Sequence, residues 1–156
     1  MVLPMRAFCF RGYEGSIELV IDEVFGFPHS TSYEGGYDMR GTLRIRVGAY
    51  QAYCNNFYFA TGVLYRFLEG LQVCYDTLEG KAIYQHYLEN DLAFSLEMTQ
   101  RGHGFVAGHF QENPSVENRL YFTMSTDQTC VRQVIEEIKE VKQIFGGYHG
   151  MGTVMG

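Results

Sequence analysis

Residues 125–147, STDQTCVRQVIEEIKEVKQIFGG, carry the most regular pattern in this 156-residue chain. Val131, Val134, Ile135, Ile138, Val141, Ile144 and Phe145 recur at spacings of three and four. Glu136, Glu137, Lys139, Glu140 and Lys142 fall mainly off that stripe, so the segment reads as an amphipathic helix with its apolar side on a core. The polar run STDQ supplies N-cap candidates, because a short side-chain oxygen can accept from the free N–H groups of a first turn. Gly146 and Gly147 end the helix, and the segment after it, YHGMGTVMG, has no packing period; residues 146–156 are expected to form a flexible tail.

Working back from this helix, residues 120–124 read as a short strand that feeds it. Upstream, 82–88, 92–98 and 105–110 are three further strand candidates, the last two joined by QRGHG, whose glycines allow positive φ. A second helix spans about 61–77, with Leu64, Phe67, Leu68, Leu71, Tyr75 and Leu78 at helical spacing and Thr61 as its cap. In the first third of the chain Ile17, Leu19 and Ile21 alternate with Glu18, Val20 and Asp22. Leu43, Ile45 and Val47 alternate with Arg44 and Arg46, and this is the period of strands packed on one face. Gly48 then gives a turn or bulge before a strand over 50–59, leaving a bent strand and a hairpin as alternatives. Residues 1–15 form an N-terminal segment. Without a regular βαβ alternation, these elements indicate one α+β domain over 1–156: an antiparallel sheet of about six or seven strands with two packed α-helices.

Composition narrows the function classes. With 46% hydrophobic and 19% charged residues the chain is an ordinary globular protein. A formal net charge of −6 argues against a nucleic-acid binder, whose affinity comes from clustered Lys and Arg. The same charge suits a basic partner, or simply keeps the domain soluble. Cys9, Cys54, Cys74 and Cys130 are scattered, with no C-x-x-C pair, and read as small core residues of a reduced protein. Pro4, Arg6 and Arg11 interrupt any leader-like apolar run, and no stretch approaches the ~18 apolar residues of a membrane span. A cytoplasmic location and no membrane contact are therefore expected.

No catalytic constellation emerges. There is no G-x-S-x-G elbow, and the cysteines lack a nucleophile context. His29, His86, His103, His109 and His149 show no metal-ligand spacing, although His103 and His109 share a strand face; no metal site and no cofactor are expected. The tail GGYHGMG closes a helix instead of opening one, so it is no phosphate loop. Glu89, Asp91 and Glu97 read as a solvated polar face. The loop TSYEGGYD stands out for partner contact: Tyr33 and Tyr37 offer rigid contact area, and Glu34 and Asp38 offer charge. A plain connecting loop needs the same turn formers, so both readings stand.

Four features follow one another: an early strand, a GYD step into MRGTLRIRV, the helix TGVLYRFLEGL, and a strand followed by DQTCVRQVIEEI. Over 16–145 this order resembles the WapI family of bacterial immunity proteins, with Tyr37-Asp38, the leucines Leu64, Leu68 and Leu71, and Asp127-Gln128 at the matching steps. The resemblance implies a protein that protects its own cell by binding a cognate polymorphic or contact-dependent toxin domain, stoichiometrically, without turnover or cofactor. The acidic balance would then favour a basic toxin through electrostatic steering. The alternative is a small-ligand-binding or enzymatic domain using a concave sheet face lined by Tyr53, Phe57, Phe94 and Phe105. A homo-oligomer pairing the edge of the third or last strand is a further alternative.

Overall fold

The computed structural model describes residues 2–86 and 91–151. Among them the chain runs through β1 (Met5–Arg11), β2 (Gly15–Phe25), β3 (Asp38–Val47), β4 (Tyr50–Ala60), α1 (Thr61–Thr77), β5 (Gly80–Gln85), β6 (Leu92–Met98), a 3-10 turn (Gln100–Gly102), β7 (His103–Phe110), β8 (Leu120–Asp127) and α2 (Gln128–Phe145). The α+β class, the antiparallel pairing and the two packed helices match the sequence reading. The strand arrangement differs: eight strands form two four-stranded sheets, β1-β2-β3-β4 and β5-β6-β7-β8, in place of one sheet of six or seven. Each sheet is a meander of consecutive hairpins, and the intervening α1 ends the first before the second begins. Alternation along a strand reports one buried face and says nothing about which sheet that face belongs to.

β1 lies within the segment left unassigned from sequence. Ala7, Phe8, Cys9 and Phe10 are all buried, so the strand lacks the period of two; a register shift in its pairing with β2 between Arg6 and Phe8 accompanies this. Its outer edge is covered by α2, and the Cys9 N–H donates to Glu137 Oε1 at 2.9 Å. The β8 edge is met by the β1–β2 turn, where the Tyr13 N–H donates to Ser125 O at 2.8 Å and the Ser125 N–H to Glu14 Oε1 at 2.6 Å. α1 packs along β5 and against α2. Three sheet edges thus have cover that satisfies or screens their backbone groups.

The inner faces share one core. Phe67 of α1 stands at its centre, with ring centroids 6.3 Å from Phe8, 6.3 Å from Phe10, 5.9 Å from Tyr84 and 5.2 Å from Phe94. Phe57 of β4 reaches Phe110 of β7 at 6.4 Å, which ties the sheets together at the other end.

The helix starts differ. α2 is capped as its sequence suggests, with Asp127 Oδ1 accepting the Cys130 N–H at 3.0 Å. α1 has Ala60 at the cap position, and Thr61 is turned to other use: its Oγ1 accepts the Tyr37 N–H at 3.0 Å. Residues 48–49 close a hairpin, not a bent strand. The expected strand 82–88 is β5 up to Gln85, and 87–88 lie outside the described residues, as does Glu89 of the carboxylate trio. Of the expected tail, 152–156 lie outside them too, while Tyr148 packs its ring 5.7 Å from that of Tyr65.

Candidate functional site: the β2–β3 loop and the outer sheet face

The loop from Gly26 to Tyr37 is built from short backbone bonds. The His29 and Ser30 N–H groups both donate to Gly26 O, and Gly26 itself has φ +75, which a side chain would resist. A second turn is closed by Ser32 N–H to Gly36 O at 2.6 Å and Gly35 N–H to Ser32 O at 3.0 Å. From below, the first turn of α1 holds this turn: Gly62 N–H donates to Gly35 O, and Arg66 Nη1 donates to Glu34 O, each at 3.0 Å. From the side, the chain beyond α2 holds it, with Gly36 N–H donating to Tyr148 O at 2.8 Å.

Of the four residues singled out for contact, three reach the surface. Tyr33 is 91% exposed at the loop tip, Asp38 is exposed at the start of β3, and Glu34 is partly exposed beside Arg66. Tyr37 is fully buried instead of joining that surface. Its ring packs edge-on to Phe27 at 5.1 Å, and its hydroxyl donates to Pro28 O and accepts the Met151 N–H, both at 2.8 Å. A phenol with both hydrogen-bonding roles satisfied can be buried at little cost, and here it fixes the loop from within. A loop held in this way loses little conformational freedom on binding, which favours affinity.

The outer face of the first sheet adjoins this loop. Along β3 the outward residues are Asp38, Arg40, Thr42, Arg44 and Arg46. Near Asp38 the single arginine is paired with carboxylates, Arg40 Nε sitting 3.2 Å from Glu23 Oε1 and its Nη1 3.9 Å from Asp22 Oδ2. The opposite end is different in character. Arg44 lies over the Tyr53 ring at 5.4 Å, and Arg46 stands across Ser16 from Arg11. A polar cleft of about 430 Å³ runs there between Arg11, Tyr13, Ser16 and Arg46. The arginines at every second position of MRGTLRIRV were a readable sign of one charged face. The contribution of Arg11 depends on strand pairing, which sequence does not provide.

The aromatic set considered for a ligand pocket is divided. Phe57 and Phe94 are buried in the core, whereas Tyr53 and Phe105 are 53% and 47% exposed. β4 and β8, the third and last strands of the sequence reading, are both terminal in their sheets. An open cleft of about 600 Å³ lies between Tyr50 and Tyr53 of β4 and the segment bearing Glu112, Glu117 and Arg119.

Among the described residues no group of three or more His, Cys, Asp or Glu is placed to hold a metal ion. His103 and His109 do share the outward side of β7. The thiols of Cys9, Cys54, Cys74 and Cys130 are all pushed up by burial, the opposite of what a reactive thiolate needs. No described helix is long and apolar enough to cross a membrane.

No curated protein and no solved structure matches this chain. Residues 9–146 match the immunity protein WapI-like family, a span that runs from β1 through the last turn of α2 and takes in both sheets, both helices, the clamped loop and the arginine-bearing face. The chain belongs to the WapI-like family of immunity proteins.

Proposed function

We propose that this protein binds a cognate toxin domain in the cytoplasm of the cell that makes it and neutralises that toxin by stoichiometric occlusion, without catalysis or cofactor. The family match over residues 9–146 carries the reading. The contact surface includes the β2–β3 loop: Tyr33 supplies apolar area with few rotamers to lose, and Glu34 and Asp38 attract basic groups on the toxin. Tyr37 serves the same surface indirectly by holding the loop in place. The net charge of −6 assists encounter with a basic toxin.

The test is a pull-down between this chain and the C-terminal domain of a toxin encoded beside its gene, at low and high salt. A stable one-to-one complex that weakens with salt and loses affinity in Tyr33→Ala and Asp38→Lys is expected. Absence of an adjacent toxin gene together with no binding would remove the reading.

A further inference from the structure

The charge balance of the whole chain hides a local inversion. Of the twelve Lys and Arg residues, Arg6, Arg11, Arg40, Arg44 and Arg46 lie on β1 and β3 of the first sheet. Arg6 pairs with Glu18 at 2.8 Å, and Arg40 with Glu23. Arg11, Arg44 and Arg46 are exposed and make no ion pair among the described residues. Of the neighbouring carboxylates, Glu18 pairs with Arg6, and Glu14 lines the same cleft and accepts the Ser125 N–H while keeping its charge, so three arginines face one further carboxylate.

Strand register sets how close these arginines are. Arg11, Ser16, Arg46 and Gln51 form one row across four strands, and Glu18, Arg44 and Tyr53 lie in the next row on the same side. With strands about 4.8 Å apart and about 3.4 Å per residue along them, the three backbone positions sit about 7–12 Å from each other. Three like charges at that spacing repel in the free protein, and an anionic partner relieves the repulsion. Tyr53 and Tyr58 are 53% and 54% exposed on the same side, and Arg with Tyr is the composition that dominates binding energy in protein interfaces.

We propose that the outer face of the β1–β4 sheet docks a partner protein, with its Arg11–Arg44–Arg46 end seated on an acidic surface of that partner; resting on the immunity reading, that partner is the toxin domain. From Asp38 to Arg46 the face is about 27 Å long at the rise of a strand, which matches one side of a standard interface. Its acidic end joins the clamped loop, and its basic end meets the opposite charge. A partner must therefore be basic near Tyr33 and acidic near Arg46, and the pattern fixes a single orientation on the sheet.

The experiment titrates the neighbouring gene's toxin domain into the wild-type chain, R44E/R46E, R44Q/R46Q and R132E/K139E. The last pair makes the same charge change on the exposed side of α2. The reversal on the sheet is expected to weaken binding about a hundredfold or more, with R44Q/R46Q intermediate and R132E/K139E close to wild type, all with unchanged melting. In a second arm an oligo-glutamate peptide is followed by amide chemical shifts, with changes expected at Ser16, Arg44, Arg46 and Tyr53 and none at Tyr33. If the wild type and R44E/R46E bind the toxin equally, the docking face is overturned and the immunity reading stands. If the wild type binds no toxin domain, the immunity reading fails and the peptide arm decides: shifts confined to the arginine end support an acidic partner there, and their absence overturns it.

Discussion

Replacing Gly62 by Ala changes no exposed side chain, yet it strikes the clamp under the β2–β3 loop. Gly62 is the second residue of α1, and an added Cβ would lie 2.6 Å from Gly35 O and even closer to Glu34 O. Three terms compete. Helix propensity favours Ala over Gly by about 1 kcal/mol. Overpacking against backbone that cannot step aside costs about 1–3 kcal/mol. Displacing the loop also removes the Gly62 N–H bond to Gly35 O, worth about 1 kcal/mol. The net is a destabilisation of about 1–3 kcal/mol, or about 2–12 °C in Tm for a chain of this size. Urea and thermal denaturation followed by circular dichroism measure it, with Val73→Ala on the exposed side of the same helix expected within about 0.5 kcal/mol of wild type. Amide exchange at residues 33–36 should accelerate in G62A more than exchange in the sheet core. A G62A protein as stable as wild type, or more so, would refute the clamp, because propensity would then have acted unopposed.

Other consequences follow from the core and the caps. Phe67→Ala removes the ring that joins both sheets and should cost about 3–5 kcal/mol, seen as a lower urea midpoint. Asp127→Ala removes the α2 cap and the partner of the Tyr13 hydroxyl, at a cost of about 1 kcal/mol. The Cys130 N–H chiefly holds the Asp127 carboxyl below its ordinary value of 3.8. Its stabilising share is therefore present above that pH and lost as pH falls through the lowered value, so the gap between D127A and wild type should close in acid. Burial pushes the Tyr65 phenol up to about 12. A group with a raised native pKa stabilises fully below its unfolded value and less as pH rises toward the native one, so Tyr65→Phe should blunt the loss of stability above pH 10 in an alkaline denaturation series.

Much of the architecture was readable because burial imposes a period. The stripe Val131–Phe145 marks α2 within a residue or two, and the alternations in 17–21 and 43–47 mark β2 and β3. β1 escaped because Ala7 to Phe10 are buried on both sides, one of them under α2, which leaves no alternation to read. The division into two sheets was beyond reach for a related reason: Phe57 and Phe110 meet across the core, and no local pattern records that they belong to different sheets. In the loop proposed for contact, sequence treated Tyr33 and Tyr37 alike. Their separation into a tip residue and a buried anchor follows from the Pro28 carbonyl that accepts from the Tyr37 hydroxyl and the Met151 N–H that donates to it. Thr61 teaches the same lesson at a helix start, where its hydroxyl takes a loop N–H in preference to a cap.

Neutralisation by occupancy makes one demand that catalysis does not: protection must scale with the amount of this chain. The decisive measurement is growth of cells producing the neighbouring gene's toxin domain at fixed level while this chain is titrated from far below to above it. Rescue that begins only as the chain approaches molar equivalence, and that shifts in proportion when toxin production is doubled, is the predicted result. Full rescue by a trace of the chain would contradict stoichiometric binding, and no rescue at any level would contradict immunity itself.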